Sequence, residues 1–380
     1  MTSALSVVWR LALATSLIVL AFAMSAPVLA VLLQQSGHST ALVGAFAMIP
    51  FLLIALLIPV MPRALARWGV IRAYRVGAFL QLAGMIGYAA GDTLLAWSLA
   101  SVANGAGAAA LWNGTEALLA REAPPERRGR VMGLYQTALG ASLAIGPFVP
   151  ALLGWGARPV LWAAAVVVAI CCVIAIAIPR HATSEPPRHA RSGTWHALRA
   201  VPVLALIAFV GGVFEAGLGS VSAAYASATG LSLSAAASVA GAIGVGSFLC
   251  QYPAGVAADV FKPKTVFSAA ALLLLAASIA LAWAGRAPWL LWAVGLVWGG
   301  VGGALYTLTM VRVAHEFAGR ATAGGAAAMI TGYTIGGAVG PLASGSALDW
   351  GGVTGLAATL GSLALATLWA AQRIERPRRV

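Results

Sequence analysis

Charge is what this chain has least of. Only 9% of its 380 residues are Asp, Glu, Lys or Arg, against about 25% in a soluble globular domain, so a surface of ordinary polarity cannot be assembled from it. Acids are scarcer than bases: ten Asp and Glu stand against 23 Lys and Arg, for a formal net charge of +13. Cysteine is scarcer still. Cys171, Cys172 and Cys250 all fall in apolar runs, with the spacing of neither a disulfide framework nor a metal site. Aromatic residues make up 8%, and no basic stretch carries the succession of stacking aromatics that a nucleic-acid groove needs. HExxH, GxSxG, paired-Asp and P-loop elements are all missing, so the hydrolase and nucleotide-driven classes have no residues to work with and no cofactor is expected.

What remains is an apolar fraction of 61%, gathered into runs of about twenty residues rather than about ten of alternating polarity. That is the length of a transmembrane helix and not of a barrel strand. Twelve such runs occupy 11–33, 41–61, 76–91, 94–120, 131–153, 160–178, 203–225, 235–258, 265–284, 289–311, 321–347 and 353–371. Arg10 followed by Leu11 to Ala23 has the outline of a signal peptide, yet the run continues to Leu33. That is too long for a signal h-region, so it is read as a first span. The connections alternate in charge. Those at 62–75, 121–130, 179–202, 259–264 and 312–320, with both termini, hold every cation except Arg158 and Arg286. The positive-inside rule then places both termini and 179–202 in the cytoplasm, in a multi-pass protein of the cytoplasmic (inner) membrane.

Residues 179–202 form the one long polar stretch and divide the chain into 1–178 and 203–380. The halves repeat each other. Glu126-Arg127-Arg128-Gly129-Arg130 returns as Glu316-Phe317-Ala318-Gly319-Arg320, and Gly146-Pro147 returns as Gly340-Pro341, both about 190 residues later, the mark of a six-plus-six duplication.

In combination these features resemble the major facilitator superfamily over essentially the whole chain. The superfamily's signature loop after span 2 has its second-half copy at Gly255-Val256-Ala257-Ala258-Asp259, followed by Lys262 and Lys264. The first-half copy is degraded, with Pro62 and Ala66 at the glycine and aspartate positions and only Arg67, Gly69 and Arg72 fitting. The resemblance implies an all-α polytopic fold of twelve transmembrane helices in two pseudo-symmetric six-helix bundles, with 179–202 as a cytoplasmic linker. It implies gating or structural roles for Arg67, Gly69, Gly255, Asp259, Glu126, Arg130, Gly146, Pro147, Glu316, Arg320, Gly340 and Pro341. It also implies that spans 1, 4, 7 and 10 line a central cavity, and that the protein works as a monomer in the lipid bilayer on a small-molecule substrate.

Only two acids sit inside apolar helices, Glu215 in span 7 and Glu116 in span 4. A mid-membrane ionisable group costs about 2.5 to 3.5 kcal/mol on insertion scales, so it marks a pathway or a partner. Neither has an evident cation within its span. Glu215 is read with Ser222 and Tyr225 on one helical face, and Glu116 with Trp112 and Asn113. Span 10 adds Gly295, Gly299 and Gly302 leading to Tyr306 and Thr309. The linker's His181, His189 and His196 lack the company of other ligands, so no metal is expected. The expectation is a secondary transporter that exports a neutral or cationic amphiphile by proton antiport, with proton-coupled uptake of a small nutrient or metabolite, or a non-transporting sensor, as alternatives. The arginine that proton-coupled exporters of the superfamily carry in span 4 is missing from Leu99 to Gly105.

Overall fold

The computed structural model describes residues 2–57, 60–122, 128–178, 199, 201–316 and 322–374. Among these the chain is helical almost throughout: α1 (Thr2–Gln35), α2 (Thr40–Leu57), α3 (Met61–Trp68), α4 (Val70–Ala90), α5 (Leu94–Glu122), α6 (Arg128–Ile145), α7 (Val149–Leu153), α8 (Ala157–Ile176), α9 (Pro202–Gly212), α10 (Leu218–Ala228), α11 (Leu233–Val260), α12 (Pro263–Ala280), α13 (Leu290–Glu316) and α14 (Thr322–Gln372). Ten stretches of the described residues are long and apolar enough to cross a membrane. One of them, Ala328–Gln372, is two spans in a single run, broken at Gly352 where φ is +57°. Val70–Ala90, lowered in hydropathy by Arg72, Arg75 and Gln81, is a further 21-residue helix of crossing length. With it the described helices supply the twelve spans expected.

Two compact units emerge. The first comprises Met1–Leu29 and Ile49–His189, the second Ala30–Met48 and Ala190–Val380. The linker 179–202 lies outside the described residues except for 199, 201 and 202. The first unit's core gathers Leu11, Tyr74, Leu111, Leu118, Tyr135 and the paired Cys171 and Cys172. Both cysteines are buried and unbridged, which suits small apolar side chains. The second unit's core is built on Phe214, Phe267, Leu274, Trp298, Leu305 and Leu360, and it takes in Val31 from the tip of α1.

In the first unit, antiparallel α4 and α8 are pinned at both ends by arginines. Arg75, near the start of α4, donates to the carbonyls of Ala175, Ile176 and Ile178 at 3.1, 2.8 and 2.7 Å, and Arg10 donates to that of Ala177 at 2.8 Å. Arg158, in the first turn of α8, reciprocates by donating to Ala89 and Gly91 at 2.6 Å each. The last carbonyls of a helix have no partner within it and carry the negative end of its dipole. Arg158, one of the two cations outside the basic connections, is thus held by a structural demand.

Trp97, near the start of α5, is 5% exposed and donates its indole N–H to the Gly91 carbonyl at 3.1 Å. Some expectations need correction. Arg312, read as a loop cation, lies within α13 and is 7% exposed. The glycines of span 10 are a packing seam: a Cβ on Gly299 would overlap the Ile243 backbone, and one on Gly246 would overlap the Leu296 carbonyl, so α11 and α13 meet backbone to backbone.

Candidate functional site

Glu215 sits where the seventh span departs from α-geometry. Val213–Gly217, between α9 and α10, is a single π turn. A π turn inserts one extra residue and rotates the remainder of the helix by about 100°, the angle of one residue in a 3.6-residue turn. The 3.6-residue period that sets Ser222 and Tyr225 on the face of Glu215 is interrupted at this turn. Ser222 is buried, and Tyr225 packs against the second unit's core.

The partners Glu215 does have come from α11 and α14. Ser247 donates its hydroxyl to Glu215 Oε1, and Tyr333 donates to Oε2 at 3.0 Å. Gln251, one turn beyond Ser247, donates its amide to the Ser247 hydroxyl at 3.1 Å. Tyr306 on α13 lies against Tyr333, with ring centroids 4.8 Å apart. Room for the carboxylate is made by two bare backbone positions. A Cβ on Gly303 would stand 3.0 Å from Glu215 Oε1 and 2.8 Å from Ser247 Oγ, and one on Gly302 would stand 2.9 Å from the Glu215 amide nitrogen.

The donor set determines the chemistry. An ionised carboxylate offers about four acceptor sites, and here two neutral hydroxyls use two of them. Among the described residues no ion pair engages it. A carboxyl that is half-buried and held by neutral donors can complete its coordination with a proton or with a passing cation. The Ser247 hydroxyl can reverse its direction to serve the carboxylate or the carboxylic acid, and the Gln251 amide, which carries both a donor and an acceptor, can follow it.

Other sequence-derived candidates fall elsewhere. In the first unit Asn113 donates to the Ala109 carbonyl of its own helix at 2.9 Å, and Trp112 is partly exposed. Glu116 is in α5, but its side chain is outside the described residues, as are those of Arg130 in α6 and Glu316 in α13. Glu126 and Arg320 lie outside them altogether. Arg67 is exposed on α3, and Gly69 turns the chain into α4 at φ +81°. Asp259 is exposed at the end of α11, and Gly255 has open space where a side chain would go. Gly146 packs on Ala23, with Pro147 in a short 3₁₀ turn. Gly340 packs on Val213, the first residue of the π turn, and Pro341 bears on Gly217, its last.

Sequence reasoning misses Ser247, Gln251 and Tyr333. Ser247 and Gln251 are polar residues a helical turn apart in the middle of an apolar run, a signal that could have found them. The family resemblance points instead to spans 1, 4, 7 and 10, whereas the partners of Glu215 come from spans 8 and 11.

A sequence model of the Major Facilitator Superfamily matches residues 11–249 and 204–380. A protein of Bacillus subtilis (strain 168) named as the MFS-type transporter YfkF is 21% identical over 245 residues. The alignment covers 63% of each chain, so this chain spans less than two thirds of that relative. Among solved structures, a D-xylose-proton symporter superposes with a TM-score of 0.76 at 12% identity, covering 97% of both chains. The nucleoside transporter NupG (D323A mutant) gives 0.75 at 12% identity over 97% of this chain and 98% of its own. A bacterial homologue of the human lysosomal transporter Spinster gives 0.72 at 16% identity, over 98% and 96%. At these identities the likeness to the solved structures is one of fold.

Proposed function

The chain belongs to the major facilitator superfamily, and on that premise we propose that it is a secondary transporter of a small molecule that couples export of a neutral or cationic amphiphile to proton entry through Glu215. The observation that carries this reading is the Glu215 carboxyl itself. It lies in a membrane-spanning segment, its oxygens are held by the Ser247 and Tyr333 hydroxyls, and no described residue pairs with it as a cation. A charge left so at membrane depth is costly, so the carboxylate calls for a proton or a cation beside it. Proton and cationic substrate competing for one carboxylate is the simplest antiport. The neighbouring Tyr306 and Tyr333 rings offer aromatic faces, which attract organic cations and are indifferent to anions. In this reading both termini face the cytoplasm, and Glu116 is a second acid serving the first unit.

The test is flux. The purified protein is reconstituted with a pH-sensitive dye inside the vesicles and challenged with a panel of cationic, neutral and anionic amphiphiles. The reading expects that adding a cationic or neutral compound moves protons in the opposite direction. Proton movement in the same direction as the compound would establish uptake by symport, and movement only with anions would remove the proposed substrate class.

A further inference from the structure

The Asp349 carboxylate has a different occupation. It lies in the second unit near the end of the eleventh span, just before the Gly352 break in α14. Its two oxygens close the N-terminus of α2. Asp349 Oδ1 accepts from the Thr40 backbone N–H at 2.9 Å and from the Thr40 hydroxyl, and Oδ2 accepts from the Ala41 N–H at 2.9 Å. The first amides of a helix have no partner inside it. Here the next two are served locally, Leu42 by the Ser39 hydroxyl at 3.3 Å and Val43 by the Ser39 carbonyl at 3.1 Å. The capping of α2 is therefore shared between an adjacent serine and an aspartate more than 300 residues away, which adds a charge at the positive end of the helix dipole.

Two further observations define what this cap holds. First, the tip that carries it, Ala30–Met48, groups with the second unit, whereas the remainder of α1 and α2 groups with the first. The chain changes unit inside both helices, next to Pro27 in α1 and Pro50 in α2. Each proline removes one backbone hydrogen bond and weakens the helix at that point. Second, the tip is seated on α14 through glycines: a Cβ on Gly44 would overlap the Pro341 carbonyl, and one on Gly345 would overlap the Thr40 carbonyl. At these two points the seat is backbone against backbone, and Asp349 is its charged clasp.

We infer that residues 30–48 form a hinged tip, bending at Pro27 and Pro50, which Asp349 captures and releases by acting as a detachable N-cap for α2. Alternating access requires some contact of this kind to be broken and remade in every cycle. A capping carboxylate suits that demand. Its hydrogen bonds are directional enough to fix the closed position, and water can replace them when the tip leaves.

Hydrogen–deuterium exchange of the intact protein in detergent tests this without knowledge of the substrate. Asp349→Ala is expected to speed amide exchange in peptides covering 30–48 by about tenfold, the scale of losing a charged helix cap, with acceleration stopping at Pro27 and Pro50. Asp349→Asn, which keeps one acceptor, should fall between that variant and the parent. Gly345→Val, which wedges the seat apart and leaves the carboxylate intact, should reproduce the pattern of Asp349→Ala. It also provides the reading if Asp349→Ala does not fold. Unchanged protection of 30–48 in both variants would overturn the inference. So would acceleration spread across the whole second unit, because Asp349 would then be an ordinary stabilising residue. Neither result bears on Glu215, so the clasp and the coupling proposal stand or fall separately.

Discussion

If α11 and α13 meet backbone to backbone, the cost of adding one methyl group should depend on where along the seam it is placed. At Gly299 a Cβ would overlap the carbonyl and Cα of Ile243, and at Gly246 it would overlap the carbonyl of Leu296. Neither obstacle is a side chain that can swing aside, so the helices must part. At Gly295 the nearest atom is the Val239 carbonyl oxygen at 3.2 Å, and at Gly219 of α10, off the seam, it is the Ala240 Cβ at 3.8 Å, an ordinary contact. Overpacking a tight site costs about 1–3 kcal/mol, while Gly→Ala in an open helix gains up to about 1 kcal/mol from propensity. Gly299→Ala and Gly246→Ala should therefore each lose about 2 kcal/mol, Gly295→Ala should lie near zero, and Gly219→Ala should gain slightly. Equilibrium unfolding in mixed micelles, followed by tryptophan fluorescence, reads this order directly. The double variant should cost less than the two singles together, because one separation of the helices relieves both overlaps. A Gly299→Ala protein as stable as Gly219→Ala would refute the backbone seam.

The same geometry sets three further outcomes. Arg158→Ala strips the caps from Ala89 and Gly91 and should destabilise the first unit by about 1–3 kcal/mol, the scale of charge-assisted hydrogen bonds reduced by exposure; the thermal midpoint checks it, with Arg286→Ala expected to leave it unchanged. Ser247→Ala and Tyr333→Phe each remove one hydroxyl from Glu215, and each should alter the pH profile of transport, whereas Ser278→Ala, whose hydroxyl bonds only the Leu274 carbonyl of its own helix, should not. A cysteine at Ser192 should resist membrane-impermeant labelling of intact cells, and efficient labelling from outside would reverse the assigned orientation.

The architecture is legible in the sequence because a membrane leaves a chain few choices. Runs of about twenty apolar residues must be helices, and the repeated Gly-Pro pairs mark the duplication. Glu215 is legible for the same reason, since a lone acid in an apolar run stands out. Its surroundings are not. The π turn at Val213–Gly217 has no composition of its own, and it interrupts the 3.6-residue period on which Ser222 and Tyr225 are grouped with Glu215. Ser247 and Tyr333 arrive from helices remote in sequence, through packing that glycines at 302 and 303 permit. Asp349 reads in the sequence as one of several acids near span ends. Only the position of α2 reveals that its carboxylate completes a helix more than 300 residues earlier.

The central claim, that Glu215 couples transport to protons, comes down to a single substitution. Glu215→Gln keeps the shape of the side chain and its contact with Ser247 and Tyr333 but cannot gain or lose a proton. In proteoliposomes carrying a compound found by the flux screen, accumulation driven by a pH gradient should disappear in this variant, while exchange of labelled for unlabelled compound across the membrane survives. Gradient-driven accumulation at the parent level, with an unchanged dependence on pH, would contradict the account and leave Glu215 a hydrogen-bonded structural residue.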